Sequence, residues 1–413
     1  MPWKQTCAVQ QRNAFVHDVL AGIAGKAELC RRYGISRPTG DKWLDRFEDL
    51  GVRGLVDRCS APHRHPNEVP LELVAMIVNL RRQRATWGPR KLRAYLQRHY
   101  ERVKWPAAST IGQILRRHEL SGVRKRCHRT PPYTQPFAGY DRPNAVWCAD
   151  FKGWFATGDG DCCHPLTISD GFSRYLVRCQ AMDTQRGPGV RKVFESAFRQ
   201  YGLPGAIRTD NGSPLASRTV GGLSQLSIWW LKLGIVPERI EPGKPQQNGR
   251  HERMHLMLKQ ETASPAEGTL RRQQRRFDTF RGEYNRQRPH EALGQRPPAE
   301  LYEPSSRRYP SKLPEVEYPE ASEVRIVQTT GTISWRKRMF YLSQTLARER
   351  VGLEPVSEGI WLIRFCPLAI GVLDERDRKI WHLEQAARRG LVDRDVLGSP
   401  FRYAPGTPQD GNM

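Results

Sequence analysis

The chain has 413 residues, 38% hydrophobic and 27% charged, with a mean hydropathy of −0.66, which calls for several cores in one polar chain. No apolar run approaches the roughly 18–20 residues of a bilayer span, and the opening MPWKQTCAVQ lacks the apolar segment of a secretory signal, so neither a membrane nor an exported protein is expected. Nine irregularly spaced cysteines without a CxxC pair suit reduced, cytoplasmic thiols, and a net charge of +24 points to a polyanionic partner, nucleic acid first.

The charge is concentrated early: residues 1–135 hold 26 Lys and Arg against 11 Asp and Glu. Residues 8–56 read as three short helices, QQRNAFVHDVLAG, KAELCRRYG and SRPTGDKWLDRFEDLG. Gly34 ends the second, Ile35 plugs the turn, Ser36 caps the third, and Pro38 stands where a helix start tolerates proline. That is a helix-turn-helix layout over residues 1–60, with Arg37, Lys42 and Arg46 on the helix expected to meet DNA. After the polar stretch Cys59–Pro70, a second helical set over 66–130 ends in RKRCHR. Arg90, Lys91, Arg116, Arg117, Arg124, Lys125 and Arg126 supply its cations for phosphates, as a second helix-turn-helix or winged-helix unit. Residues 131–144 form a Pro-containing linker.

From Ala145 the pattern changes to strand-like runs, AVWCADFKGWF, DCCHPLTISD and SRYLVRCQAM, separated by Gly- and Asp-bearing turns. An amphipathic helix (GPGVRKVFESAFRQYG), a short strand (GAIRTDNG), a helix (GGLSQLSIWWLKLG), a strand (IVPERIEP) and a long helix (QQNGRHERMHLMLKQE) follow. Strands first and then alternation predict an α/β layer with a mixed sheet over 145–302. A Pro-rich linker at 303–320 leads to many short β-prone runs, expected to form a small β-barrel over 321–390, and 391–413 is a tail. Within those runs Trp335-Arg336-Lys337-Arg338 is either an aromatic-cationic edge or a plain turn.

Three acids occupy the places that a metal site would use: Asp150 in the first strand, Asp210 at a strand end before Asn211-Gly212, and Glu252 on the long helix. Carboxylates from two strand ends and a facing helix can converge on hard cations, and two such ions can clamp the attacking and leaving oxygens of a phosphoryl displacement. Lys259 lies two helical turns beyond Glu252, on the same face, placed to meet a DNA strand. A competing reading starts from His251-Glu252-Arg253-Met254-His255, which is the HExxH spacing of zinc peptidases. It lacks a third ligand, because Leu258 stands where a helix-ending glycine is needed and the helix turns Glu261 away from the histidines.

The stretches WCADFKGWF, ISDGFSRYLVRCQ, YGLPGAIRTDNGSPLAS, IVPERIEPGKPQQNGRHERMH and EYNRQRPHEALGQRPPAELY together resemble the integrase catalytic core of DDE transposases. That superfamily includes bacterial insertion-sequence transposases and retroviral integrases. The resemblance covers about residues 143–302 and implies an RNase H-like fold with Asp150, Asp210 and Glu252 as catalytic and metal-binding triad. It implies Mg²⁺ or Mn²⁺, two ions per site, and cleavage and strand transfer on double-stranded DNA, namely the terminal inverted repeats of a mobile element and its target. It also implies a homo-oligomer on DNA, associated with the bacterial nucleoid. On this reading His251 points to core or solvent, while His255 shares the face of Glu252 and reaches DNA. The alternatives are a DNA-binding regulator with an inactive core and the zinc peptidase.

Overall fold

The computed structural model describes residues 7–58, 68–121, 141–209, 223–239 and 249–393. It divides into two compact units, 1–70 and 71–413. No helix among the described residues is long and apolar enough to cross a membrane.

The first unit is a three-helix bundle: α1 (Ala8–Leu20), α2 (Lys26–Arg32) and α3 (Arg37–Leu50) close on Phe15, Val16, Leu29, Cys30, Trp43 and Leu55. The turn between α2 and α3 is built as expected, with Gly34 at φ +67° and the Ile35 amide donating to the Cys30 carbonyl at 2.9 Å. The Ser36 hydroxyl accepts the Thr39 amide at 3.3 Å, capping α3. A Cβ on Gly40 would lie 2.8 Å from the Cys30 sulfur, so the small residue is what lets α3 press against α2.

In the second unit, α4 (Leu71–Gln83), α5 (Pro89–His99) and α6 (Ala108–Arg117) bury Ile77, Trp87, Leu92, Leu96, Ile111, Ile114 and Leu115. The mixed sheet follows: β1 (Val146–Phe151), β2 (Phe155–Ala156), β3 (Cys162–Asp170), β4 (Leu176–Met182), β5 (Ala206–Thr209) and β6 (Val236–Arg239). β3 pairs antiparallel with β1, β2 and β4, whereas β5 pairs parallel with β1 and with β6. Parallel pairing needs crossovers, which α7 (Gly187–Tyr201) and α8 (Gln225–Lys232) provide. These helices cover one face of the sheet, packing Phe194, Phe198, Trp229 and Trp230 on Trp147, Leu166 and Ile168. α9 (Gly249–Thr262) and α10 (Leu270–Arg286) join a second cluster through Met254, Leu258, Phe277, Phe280 and Tyr284.

A buried polar knot ties the start of the core to its end. Asn144, at φ +61°, accepts from the Trp147 indole and the Tyr302 hydroxyl, both at 2.9 Å. Its amide donates to Asp170 at 2.7 Å, and Asp170 also takes the amide and hydroxyl of Ser173. Burial pushes the Asp170 carboxyl up, and these hydrogen bonds hold it in place as a structural acid.

Residues 303–320 do not hang free as the linker that composition suggested. Arg307 donates to the carbonyls of Pro204, Leu233 and Gly234, and Tyr309 lies against Phe198. Beyond it, β7 (Glu323–Ile326), β10 (Arg350–Ser357), β11 (Ile360–Phe365), β12 (Leu368–Asp374) and β13 (Lys379–Trp381) form an antiparallel sheet, with β8 (Thr332–Trp335) and β9 (Arg338–Tyr341) as a separate hairpin. The pairing therefore resolves into two sheets and does not close the single barrel that strand spacing suggested. The sheets share one core, to which α8 adds Ile228 and Leu231. Trp335 is buried, and the indoles of Trp335 and Trp361 both donate to Glu375; Arg336 and Lys337 form the hairpin turn, with the Arg325 and Arg336 guanidiniums 4.9 and 6.0 Å from the Trp335 ring centre.

Replacing Asn144 tests the polar knot. Asn144→Ala strips two buried donors of their acceptor and is expected to cost about 1–3 kcal/mol in urea unfolding. A loss below a few tenths of a kcal/mol would mean that the knot contributes nothing.

Candidate active site

Strand alternation sets up the site. On β1, Trp147 and Ala149 face the core under α7, which turns Cys148 and Asp150 to the opposite face. On β3, Leu166 and Ile168 face the same core, leaving Thr167 and Ser169 beside Asp150, and the register pairs Asp150 directly with Thr167.

α9 is fastened to that face by its two histidines. The Nε2 atoms of His251 and His255 both lie 2.7 Å from the Thr167 hydroxyl oxygen, which is also 3.1 Å from the Asp150 carbonyl. A carbonyl only accepts, so it takes the single hydroxyl proton. Both imidazoles must then donate Nε2–H into the two lone pairs of the hydroxyl oxygen. The Ser169 hydroxyl, 3.2 Å from His251 Nδ1, completes the set by donating to it. Both rings are buried. Burial pushes His251 down to about 4, and burial followed by the His251 and Lys152 charges pushes His255 down to about 2, so both are neutral at pH 7.

His255 Nδ1 stands 3.8 Å from Asp150 Oδ2, which places the helix that carries Glu252 beside the strand that carries Asp150. The expectation that His255 shares an exposed face with Glu252 fails. The buried side of α9 consists of His251, Met254, His255 and Leu258, because His255 lies 60° short of a full turn from Glu252 and the sheet takes that edge. Glu252, Arg253 and Lys259 are exposed, and Glu252 has neither an ion-pair nor a hydrogen-bond partner among the described residues. A carboxylate without a partner among the described residues, on a helix docked beside Asp150, is of the donor type that hard divalent cations take. Asp210 lies outside the described residues; β5 ends at Thr209. Gly153 at φ +73° turns the chain after Asp150 and leaves Trp154 66% exposed.

The DNA-contact candidates divide. Arg37 and Lys42 are exposed on α3 and Arg46 is half-buried, but the same helix carries Asp41, Asp45, Glu48 and Asp49, and Asp41 pairs with Lys26. Arg90 is exposed and paired with Glu291 at 2.8 Å. Lys91 is half-buried on the core side, where burial and then the Arg288 and Arg253 charges push its ammonium down to about 8. Arg124, Lys125 and Arg126 lie outside the described residues. On α6 the exposed residues are Ser109, Gln113, Arg116 and Arg117, with no acid among them. Sequence reasoning missed Thr167, a strand residue without any local mark, and α10, whose Phe277, Phe280 and Tyr284 do stand at helical spacing.

The buried histidines are expected to make the chain acid-labile. Their folded pKa values lie below the ordinary 6.5, so the unfolded chain binds more protons as pH falls through that value toward about 4. Unfolding free energy should therefore drop between pH 6.5 and 5, before ordinary carboxylates titrate, and His251→Gln with His255→Gln should flatten that slope. An unchanged slope in the double variant would contradict neutral, buried imidazoles.

Residues 140–245 and 233–298 match integrase core domain families, and residues 39–115 match a homeodomain-like domain. The chain is 30% identical over 255 residues to an uncharacterized 31.7 kDa protein of insertion element IS407 from Burkholderia multivorans, covering 61% of this chain and 87% of the relative. It is 29% identical over 301 residues to a 39.2 kDa protein of insertion element IS476 from Xanthomonas euvesicatoria, covering 72% and 78%. A chain of the simian T-cell lymphotropic virus intasome, solved with a PP2A regulatory subunit, aligns at 15% identity and a TM-score of 0.36 over 73% of this chain and 96% of that one. With an integrase core preceded by a homeodomain-like region, and with most of the IS407 relative's length matched, the chain belongs to the insertion-element transposases of the integrase-like superfamily.

Proposed function

We propose that Asp150, Asp210 and Glu252 are the metal-binding acids with which this transposase cuts and joins the ends of its element. The observation that carries the reading is Glu252, exposed and without a partner among the described residues, on a helix locked beside Asp150 by His255 and Thr167. The β1–β5 register adds to it: Ala149 pairs with Thr209, and in the sequence Asp150 and Asp210 directly follow these two residues.

These acids would hold Mg²⁺ or Mn²⁺, two ions per site; such ions activate the attacking oxygen and neutralise the charge that develops on the phosphate. Water first cleaves the phosphodiester at the element end and frees a 3′-hydroxyl. That hydroxyl then attacks a target phosphodiester and displaces a target 3′-oxygen, so one bond forms for each one broken and no ATP is required. Lys259, exposed two turns beyond Glu252, is placed to pair with a backbone phosphate of the strand being cut. The exposed Ser109, Gln113, Arg116 and Arg117 of α6 suit the reading of terminal inverted repeats better than α3, whose acids would face phosphates. Two ends must be joined, which calls for at least two copies on DNA. The peptidase alternative has no support, since both Nε2 atoms are engaged by a threonine hydroxyl and no cluster of His, Cys, Asp and Glu suited to a metal occurs among the described residues.

Asp150→Asn, Asp210→Asn and Glu252→Gln are each expected to abolish cleavage and joining of element-end DNA in Mg²⁺ while leaving binding of that DNA within about threefold, because an amide keeps the shape and loses the charge. Wild-type joining by any one of them would refute the triad. Arg116→Ala with Arg117→Ala should weaken end binding and lower the salt slope by about one to two charges. An unchanged slope would move the DNA contact elsewhere.

A further inference from the structure

Glu261, at the end of the helix that carries Glu252, is not idle. Its carboxylate takes the Arg288 guanidinium at 2.7 Å and the Thr86 hydroxyl at 2.6 Å, through the same oxygen. Its carbonyl accepts from Arg276 of α10 at 3.2 and 2.9 Å. Arg288 is only 4% exposed. Thr86 belongs to the turn between α4 and α5, so one side chain joins the helical unit, the helix of Glu252 and the segment after α10. Around this junction, Arg84 reaches Glu283 at 2.5 Å and Gln287 at 2.8 Å, and Arg98 reaches Glu300 at 2.6 Å.

We propose that this clasp makes the α4–α6 unit a positioning element of the active site: Thr86 holds α9 directly through Glu261, and Arg84 holds α10, whose Arg276 grips the Glu261 carbonyl, so that together they keep Glu252 in register with Asp150. The inference rests on the reading of Glu252 as a catalytic acid. Three observations favour positioning over simple attachment. The contacts are charged and directional, and those of Thr86 and Arg84 fall on α9, on α10 and on the two residues that follow α10. One of the pairs, Arg288 with Glu261, is largely removed from water, where a broken partner is costly. The exposed face of α6 belongs to the same small unit, so DNA held there and the acid at the cut are mechanically one body.

The test uses the full chain, Mg²⁺ and duplexes that carry the DNA sequences bordering the gene, with binding and single-turnover cleavage measured separately. Arg84→Glu should slow cleavage at saturating DNA by about tenfold or more with end binding changed less than about threefold, and Arg84→Glu with Glu283→Arg should restore the rate to within about threefold. A single variant that cleaves at the wild-type rate overturns the proposal. So does a double variant no faster than the single, which also covers the case in which Arg84→Glu merely misfolds. Glu252→Gln is run alongside: if it cleaves normally, the catalytic reading has failed, whatever the clasp variants do.

Discussion

A single threonine hydroxyl on a central strand organises the face of the sheet that carries Asp150. Thr167 gives its proton to the backbone of Asp150 and receives one from each of two histidines a helical turn apart, so its three hydrogen-bonding positions are all filled. Unfilled, those groups would be buried polar atoms in a core face, each a cost of about 1–3 kcal/mol. Filled, they set both the distance and the rotation of α9 on the sheet. With His251 and His255 turned inward, Glu252 and Lys259 are left exposed on the helix.

The same histidines explain why a peptidase spacing can occur in a transposase. HExxH places two imidazoles on one helical edge, and that edge can meet a metal ion or a hydroxyl. A zinc site needs an additional anionic or imidazole ligand and lone pairs aimed at the ion. Here the Nε2 atoms are donors and the facing atom is an oxygen that needs protons. The glutamate between them is separated from both by the helical twist and serves the other side of the helix.

Much of this was legible in the sequence, for identifiable reasons. Alternation marked β1 and β3, Gly34 with Ser36 marked the turn into α3, and the ordered acids with the surrounding motifs carried the family resemblance. The acids could be proposed because chemistry restricts which residues can hold hard cations. Thr167 could not, because its role depends on the strand register with β1 and on the docking of a helix more than eighty residues away. Trp335 was ambiguous for a related reason: beside three cations it suggests a surface, and only the distant carboxylate of Glu375 reveals that its indole has a buried acceptor. Arg90 and Lys91 belong to the same class. Charge alone assigned them to DNA, whereas the docking of α5 turns Lys91 toward Arg253 and Arg288 and ties Arg90 to Glu291.

The central claim is that the two histidines of α9 are neutral donors locked on one hydroxyl. Long-range proton–nitrogen correlation spectra of ¹⁵N-histidine-labelled protein test it most directly. At pH 7 the account predicts that His251 and His255 both appear as neutral rings with the proton on Nε2, unchanged when Zn²⁺ is added at stoichiometric amount. An imidazolium pattern, an Nδ1–H tautomer, or a zinc-induced shift at either ring would contradict it.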